Sequence, residues 1–128
     1  MSNVIQITPF MHVRALEEAL EFVGRLGFRI VLRMRDYAYV DREGAGLRIL
    51  AYPGAHVFEG GRDRFAYYLD VRDLGAIHSE LKDWLDTLPR GDVHGPADKE
   101  YGQRELLIRG PDGQLFVFGQ AIGEPNRQ

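Results

Sequence analysis

The 128-residue chain has no cysteine, which excludes disulfides, thiolate metal sites and a cysteine nucleophile together. A reducing compartment fits that composition. Serine is nearly as scarce: Ser2 and Ser79 stand alone, and neither lies in a nucleophile elbow. There is no surplus of positive charge. The 16 basic residues face 19 acidic ones, a formal charge of -3, which gives nucleic acid no electrostatic hold. No apolar run approaches the ~20 residues of a membrane-spanning helix, and the opening Met-Ser-Asn-Val carries no signal-peptide pattern. A soluble cytoplasmic protein is expected, with no nucleic-acid or membrane partner. What is present is enough for a core: 45% of residues are apolar, 27% are charged, and the length suits one domain.

Along the chain, residues 4–13 alternate. Ile5, Ile7, Met11 and Val13 share one face and Gln6, Thr8, Phe10 and His12 the other, which predicts a strand with an unpaired side at Pro9. Leu16, Ala19, Leu20, Val23 and Leu26 repeat at helical spacing, with Glu17 and Glu18 at the start and Gly27 as the stop. Three strands are expected next, over 28–33, 36–41 and 47–52, with a turn at 42–46. A Gly- and charge-rich loop, 53–64, precedes a strand at 65–71. Asp73 then caps a helix carrying Leu74, Ile77, Leu81, Leu85 and Leu88 on one face. A polar loop is expected over 90–100, followed by strands at 104–109 and 114–120 joined by the turn Gly110-Pro111-Asp112-Gly113, and then a loose tail over 123–128.

Both halves thus read as strand, helix, then two or three strands. Val13-Arg14-Ala15-Leu16 and Val71-Arg72-Asp73-Leu74 are alike 58 residues apart, which suggests a duplicated βαβββ module. The first module covers about 4–52 and the second about 65–120, within one domain spanning 1–128. A ferredoxin-like sheet, the alternative architecture, has fewer strands than this chain offers.

Val13-Arg14-Ala15-Leu16 leading to Leu26-Gly27-Phe28, and Tyr101-Gly102-Gln103-Arg104-Glu105 leading to Pro111-Asp112-Gly113-Gln114-Leu115, resemble the glyoxalase/bleomycin resistance/dioxygenase (vicinal oxygen chelate) superfamily. The second stretch, ending Phe118-Gly119-Gln120, is similar to the bleomycin-resistance branch in particular. Ala15 and Gly110 depart from the usual pattern, where acidic residues are common. The resemblance implies an α+β fold of two βαβββ modules with curled mixed sheets, and a homodimer. It also implies that metal-dependent members would place four ligands at Thr8, Arg48, Ala66 and Val117. None of these is a good ligand, and Arg48 puts a permanent positive charge where a cation would sit. No metal and no cofactor are therefore expected. His12, His56, His78 and His94 show no ligand spacing among themselves.

If those four positions point into a hollow, alternation brings their neighbours with them. Phe10 and His12 follow Thr8, Tyr68 and Asp70 follow Ala66, and Tyr52 follows Arg48. Ala38 and Val40 suit the core, leaving Tyr37 and Tyr39 for the hollow, with Tyr101 bordering it. Ile5, Ile7, Leu47, Ile49, Phe65, Leu69, Phe116 and Phe118 go to the helix side as core. The expected ligand-binding set is Phe10, His12, Tyr37, Tyr39, Arg48, Tyr52, Tyr68, Asp70, Tyr101 and Glu105. Its tyrosines suit a large amphiphilic or heteroaromatic molecule, or equally a subunit interface. Asp70 and Glu105 are candidate partners for a cation, and Arg48 for an anionic or carbonyl group. No catalytic residue is assigned. The expected function is a bleomycin-resistance-like binder that sequesters an aromatic or cationic antibiotic or metabolite. A metal-dependent glyoxalase- or dioxygenase-type enzyme with a non-standard metal site, and a structural module, remain the alternatives.

Overall fold

The computed structural model of the protein describes residues 2–123. The chain divides into two compact units, Met1–Val57 and Phe58–Gln128. The first contains β1 (Phe10–Val13), α1 (Leu16–Arg25), β2 (Arg29–Arg33), β3 (Tyr37–Arg42) and β4 (Ala45–Ala51). The second contains β5 (Ala66–Asp70), α2 (Leu74–Leu85), a 3₁₀ turn at Arg90–Asp92, β6 (Val93–Lys99), β7 (Gln103–Arg109) and β8 (Leu115–Ala121). This is an α+β architecture in which the βαβββ order occurs twice. Each unit holds a mixed four-stranded sheet, ordered β1-β4-β3-β2 in one and β5-β8-β7-β6 in the other.

Alternation along the strands sorts the side chains. In the first unit Met11, Val13, Ala38, Val40, Leu47 and Ile49 are buried, together with Leu16, Ala19, Leu20, Phe22 and Val23 of α1. In the second, Tyr67, Leu106, Ile108, Phe116 and Phe118 are buried with Leu74, Ile77, Leu81 and Leu85 of α2. Each helix therefore covers one face of its own sheet and leaves the other open. The helix starts differ. Asp73 accepts a hydrogen bond from Ala76 N at 3.0 Å, and Gln120 Oε1 accepts from Leu74 N at 2.7 Å. Ala15 offers α1 no side-chain cap.

Several sequence expectations are corrected. The strand expected over 4–13 begins only at Phe10. β1 is an edge strand whose partner β4 ends the ladder at Pro9, whose carbonyl accepts from Arg48 N at 3.0 Å. Upstream, Val4, Ile5 and Ile7 are 81%, 95% and 89% exposed, so Ile5 and Ile7 are not core. Phe65 is not core either. It precedes β5 at 46% exposure, with its ring against Phe58 and Tyr67. The loop expected over 90–100 contains β6. Gly95 and Pro96 disguise it, and both sit where the register with β7 shifts between His94 and Ala97 on an edge strand, a place that tolerates a missing donor. The turn expected over 42–46 narrows to Glu43-Gly44, both at positive φ (52° and 88°), the two-residue hairpin connection whose twist matches its strands. Most of the expected loose tail, 124–128, lies outside the described residues.

Candidate functional site

On the open face of the first sheet, register brings aromatics around one arginine. Arg48 on β4 stands opposite Phe10 of β1 and Tyr39 of β3. Its Nε donates to Thr8 Oγ1 at 2.8 Å and its Nη1 to the Tyr37 hydroxyl at 2.5 Å, while Cζ lies 4.9 Å from the Tyr39 ring centroid. One row further along, His12 and Tyr37 both stand opposite Leu50. His12 Nδ1 is 2.9 Å from the Tyr52 hydroxyl, and its ring lies edge-on to Tyr52 and 6.0 Å from Phe10. Six of the expected site residues, Phe10, His12, Tyr37, Tyr39, Arg48 and Tyr52, thus meet on this unit.

The other four gather on the open face of the second sheet. Tyr68 and Leu107 flank Val117, while Asp70 and Glu105 flank Gly119. The Tyr68 hydroxyl donates to Gln103 Oε1 at 3.1 Å, and the Glu105 carboxylate lies close enough to the Tyr68 and Tyr101 hydroxyls to act on both. Glu105 is buried, whereas Tyr68 and Tyr101 remain 44% and 47% exposed. Desolvation and the Glu105 carboxylate push the Tyr68 phenol well above its ordinary range. The hydrogen bond to Glu105, followed by desolvation, raises Tyr101. Both hydroxyls therefore remain donors at neutral pH.

Glycine shapes each face. A Cβ on Gly119 would lie 2.0 Å from the Tyr68 hydroxyl, and one on Gly46 2.4 Å from that of Tyr39. In both units a tyrosine lies across a gap in the neighbouring strand. Sequence reasoning did not single out these glycines, nor Gln6, which donates to the Tyr39 hydroxyl at 2.9 Å, nor Gln103. Gln103 was legible by alternation from Glu105. A glycine facing a ring shows no signal until the register is known.

The four positions that would ligate a metal do not suit one. Ala66 and Val117 carry no donor atom, and the guanidinium of Arg48 occupies the hydroxyl of Thr8. Among the described residues, no group of three or more His, Asp or Glu side chains is placed to hold an ion. His94 instead bonds the Gly91 carbonyl at 3.0 Å.

No family model matches the chain. A bleomycin resistance protein of Klebsiella pneumoniae is 28% identical over 116 residues, covering 87% of this chain and 88% of that protein. The crystal structure of a bleomycin-binding protein complexed with bleomycin has a TM-score of 0.74 at 26% identity, covering 91% of this chain and 98% of that one. A bleomycin resistance determinant encoded on the transposon Tn5 has a TM-score of 0.76 at 25% identity, covering 92% and 98%. A glyoxalase/bleomycin resistance protein/dioxygenase from Nocardioides, at 18% identity and a TM-score of 0.70, shares the fold.

Proposed function

We propose that this chain, a member of the bleomycin-resistance branch of the glyoxalase/bleomycin resistance/dioxygenase superfamily, binds a small aromatic antibiotic or metabolite and sequesters it without chemistry. The observation that carries the proposal is the pair of tyrosine-lined open faces, each built around a charged side chain, at positions unsuited to a metal. Stacking on half-exposed rings supplies affinity, and the charges orient the ligand. Glu105, buried between two phenol donors, would draw a cationic group to the second unit.

A homodimer belongs to the same proposal. Its support is apolar surface: Ile30, Val31 and Leu32 of the edge strand β2, and Met34 just after it, are between 49% and 60% exposed. Such an edge invites a partner. The proposal treats the two units as one domain and places the protein in the cytoplasm. No helix among the described residues is long and apolar enough to cross a membrane.

The test is a thermal-shift screen of bleomycin-type glycopeptides and aromatic metabolites, run with and without divalent metal. A ligand that binds the folded state alone raises the melting temperature, by an amount that grows with its concentration. At least one compound should do so equally in EDTA. A shift seen only with metal would favour the enzyme reading, and no shift with any compound would favour a structural module.

A further inference from the structure

Arg48 differs from the other paired arginines of its unit. Arg25 meets Glu21, Arg29 meets Asp41, Arg33 meets Glu17 and Arg42 meets Glu43. Each has a carboxylate. Arg48 is half-buried, and its contacts among the described residues are a threonine hydroxyl, a tyrosine hydroxyl and the face of a second tyrosine, all uncharged. A guanidinium has five N–H donors in a rigid plane, and the two hydroxyls take two of them. Three remain on the terminal nitrogens. The hydroxyls and the ring fix the orientation of the plane without neutralising its charge.

We infer that Arg48 is an anion-recognition point on the open face of the first sheet, and that the ligand group it takes is the carboxylate of a planar aromatic acid. This rests on the binding reading above and adds a ligand class to it. The terminal nitrogens match two carboxylate oxygens, and a charge-assisted pair of that kind is stronger than a neutral hydrogen bond. The single positive charge suits a monoanion. Phe10 and Tyr39, opposite Arg48 on the two neighbouring strands, supply apolar surface for the ring that bears the carboxylate. Partial burial makes the preference for an anion larger than an exposed arginine would give, because water screens the pair less.

The experiment titrates the full chain with 2-naphthoate and with its uncharged analogue 2-naphthamide, each against wild type, Arg48→Gln and Arg48→Lys. Wild type should bind the acid at least tenfold more tightly than the amide, and the gap should narrow as salt is raised. Arg48→Gln should bring the two affinities within about twofold, mainly by weakening the acid. Arg48→Lys should keep an intermediate preference, since it preserves the charge and loses the fork. It also supplies the result if the glutamine variant does not fold. Equal affinity for acid and amide in wild type, or an unchanged ratio in both variants, overturns the inference. If compounds of the thermal screen bind while the acid is no better than the amide, the anion point fails and the binding reading stands. If nothing binds, both fail.

Discussion

Tyr68 is the residue on which the second face turns. It is exposed enough to meet a ligand, yet its hydroxyl donates to Gln103 and its ring crosses Gly119. Tyr68→Ala should weaken ligand binding by ~1–3 kcal/mol, as removal of a packed aromatic anchor does. Its cost in fold stability should fall short of that of Phe116→Ala, where removing a ring that is 1% exposed costs about 3–5 kcal/mol. Gly119→Ala separates position from chemistry. The three nearest atoms to the added methyl all belong to the Tyr68 side chain, none to backbone, so the ring is displaced from Gly119 while the fold persists. Its melting temperature should stay near wild type while its affinity falls towards that of Tyr68→Ala. Titration of the three variants beside their melting curves checks this, and unchanged affinity in Gly119→Ala would show that the ring position is irrelevant. The outward placement of Tyr37 and Tyr39 was legible from alternation with Ala38 and Val40, which are buried, whereas that of Tyr68 was reached through Ala66, a position supplied by the family resemblance. The partners of those tyrosines were not legible, because Gln6, Gln103 and Gly119 reach them across strands whose register no local pattern states.

At the scale of elements, the two helices test how far local chemistry sets stability. Asp73 caps α2 and should cost ~0.5–2 kcal/mol when changed to alanine, whereas Ala15→Asp should stabilise by a similar amount by giving α1 the cap it lacks. Chemical denaturation of the two variants reads both signs. A destabilised Ala15→Asp would mean that the chain at 15 cannot turn its side chain to the first turn. The helices, β3 and β4 were legible because each has periodic apolar residues on a buried face, whereas β2 was legible as an apolar run although all of it is exposed. β6 was not, since its seven residues are largely exposed and interrupted by Gly95 and Pro96. Residues 4–8 erred the other way. They carry a strand's alternation, but the ladder to β4 ends at Pro9. A pattern describes what a segment can bury. Pairing depends on what lies beside it.

For the whole molecule, the exposed β2 edge and the open faces favour association. Light scattering at micromolar concentration should give twice the 14.6 kDa of one chain. A monomeric mass would remove the homodimer from the proposal. The central claim is that the protein holds an aromatic molecule without a metal, on faces where relatives that use one would place its ligands. Its most direct test is a calorimetric titration of bleomycin, the molecule bound in the structure of one relative, into protein kept in EDTA. The account predicts saturable heat in EDTA, unchanged when a divalent metal replaces the chelator, with bleomycin recovered at its original mass. Heat that appears only after metal is added, or recovered bleomycin of altered mass, would contradict it.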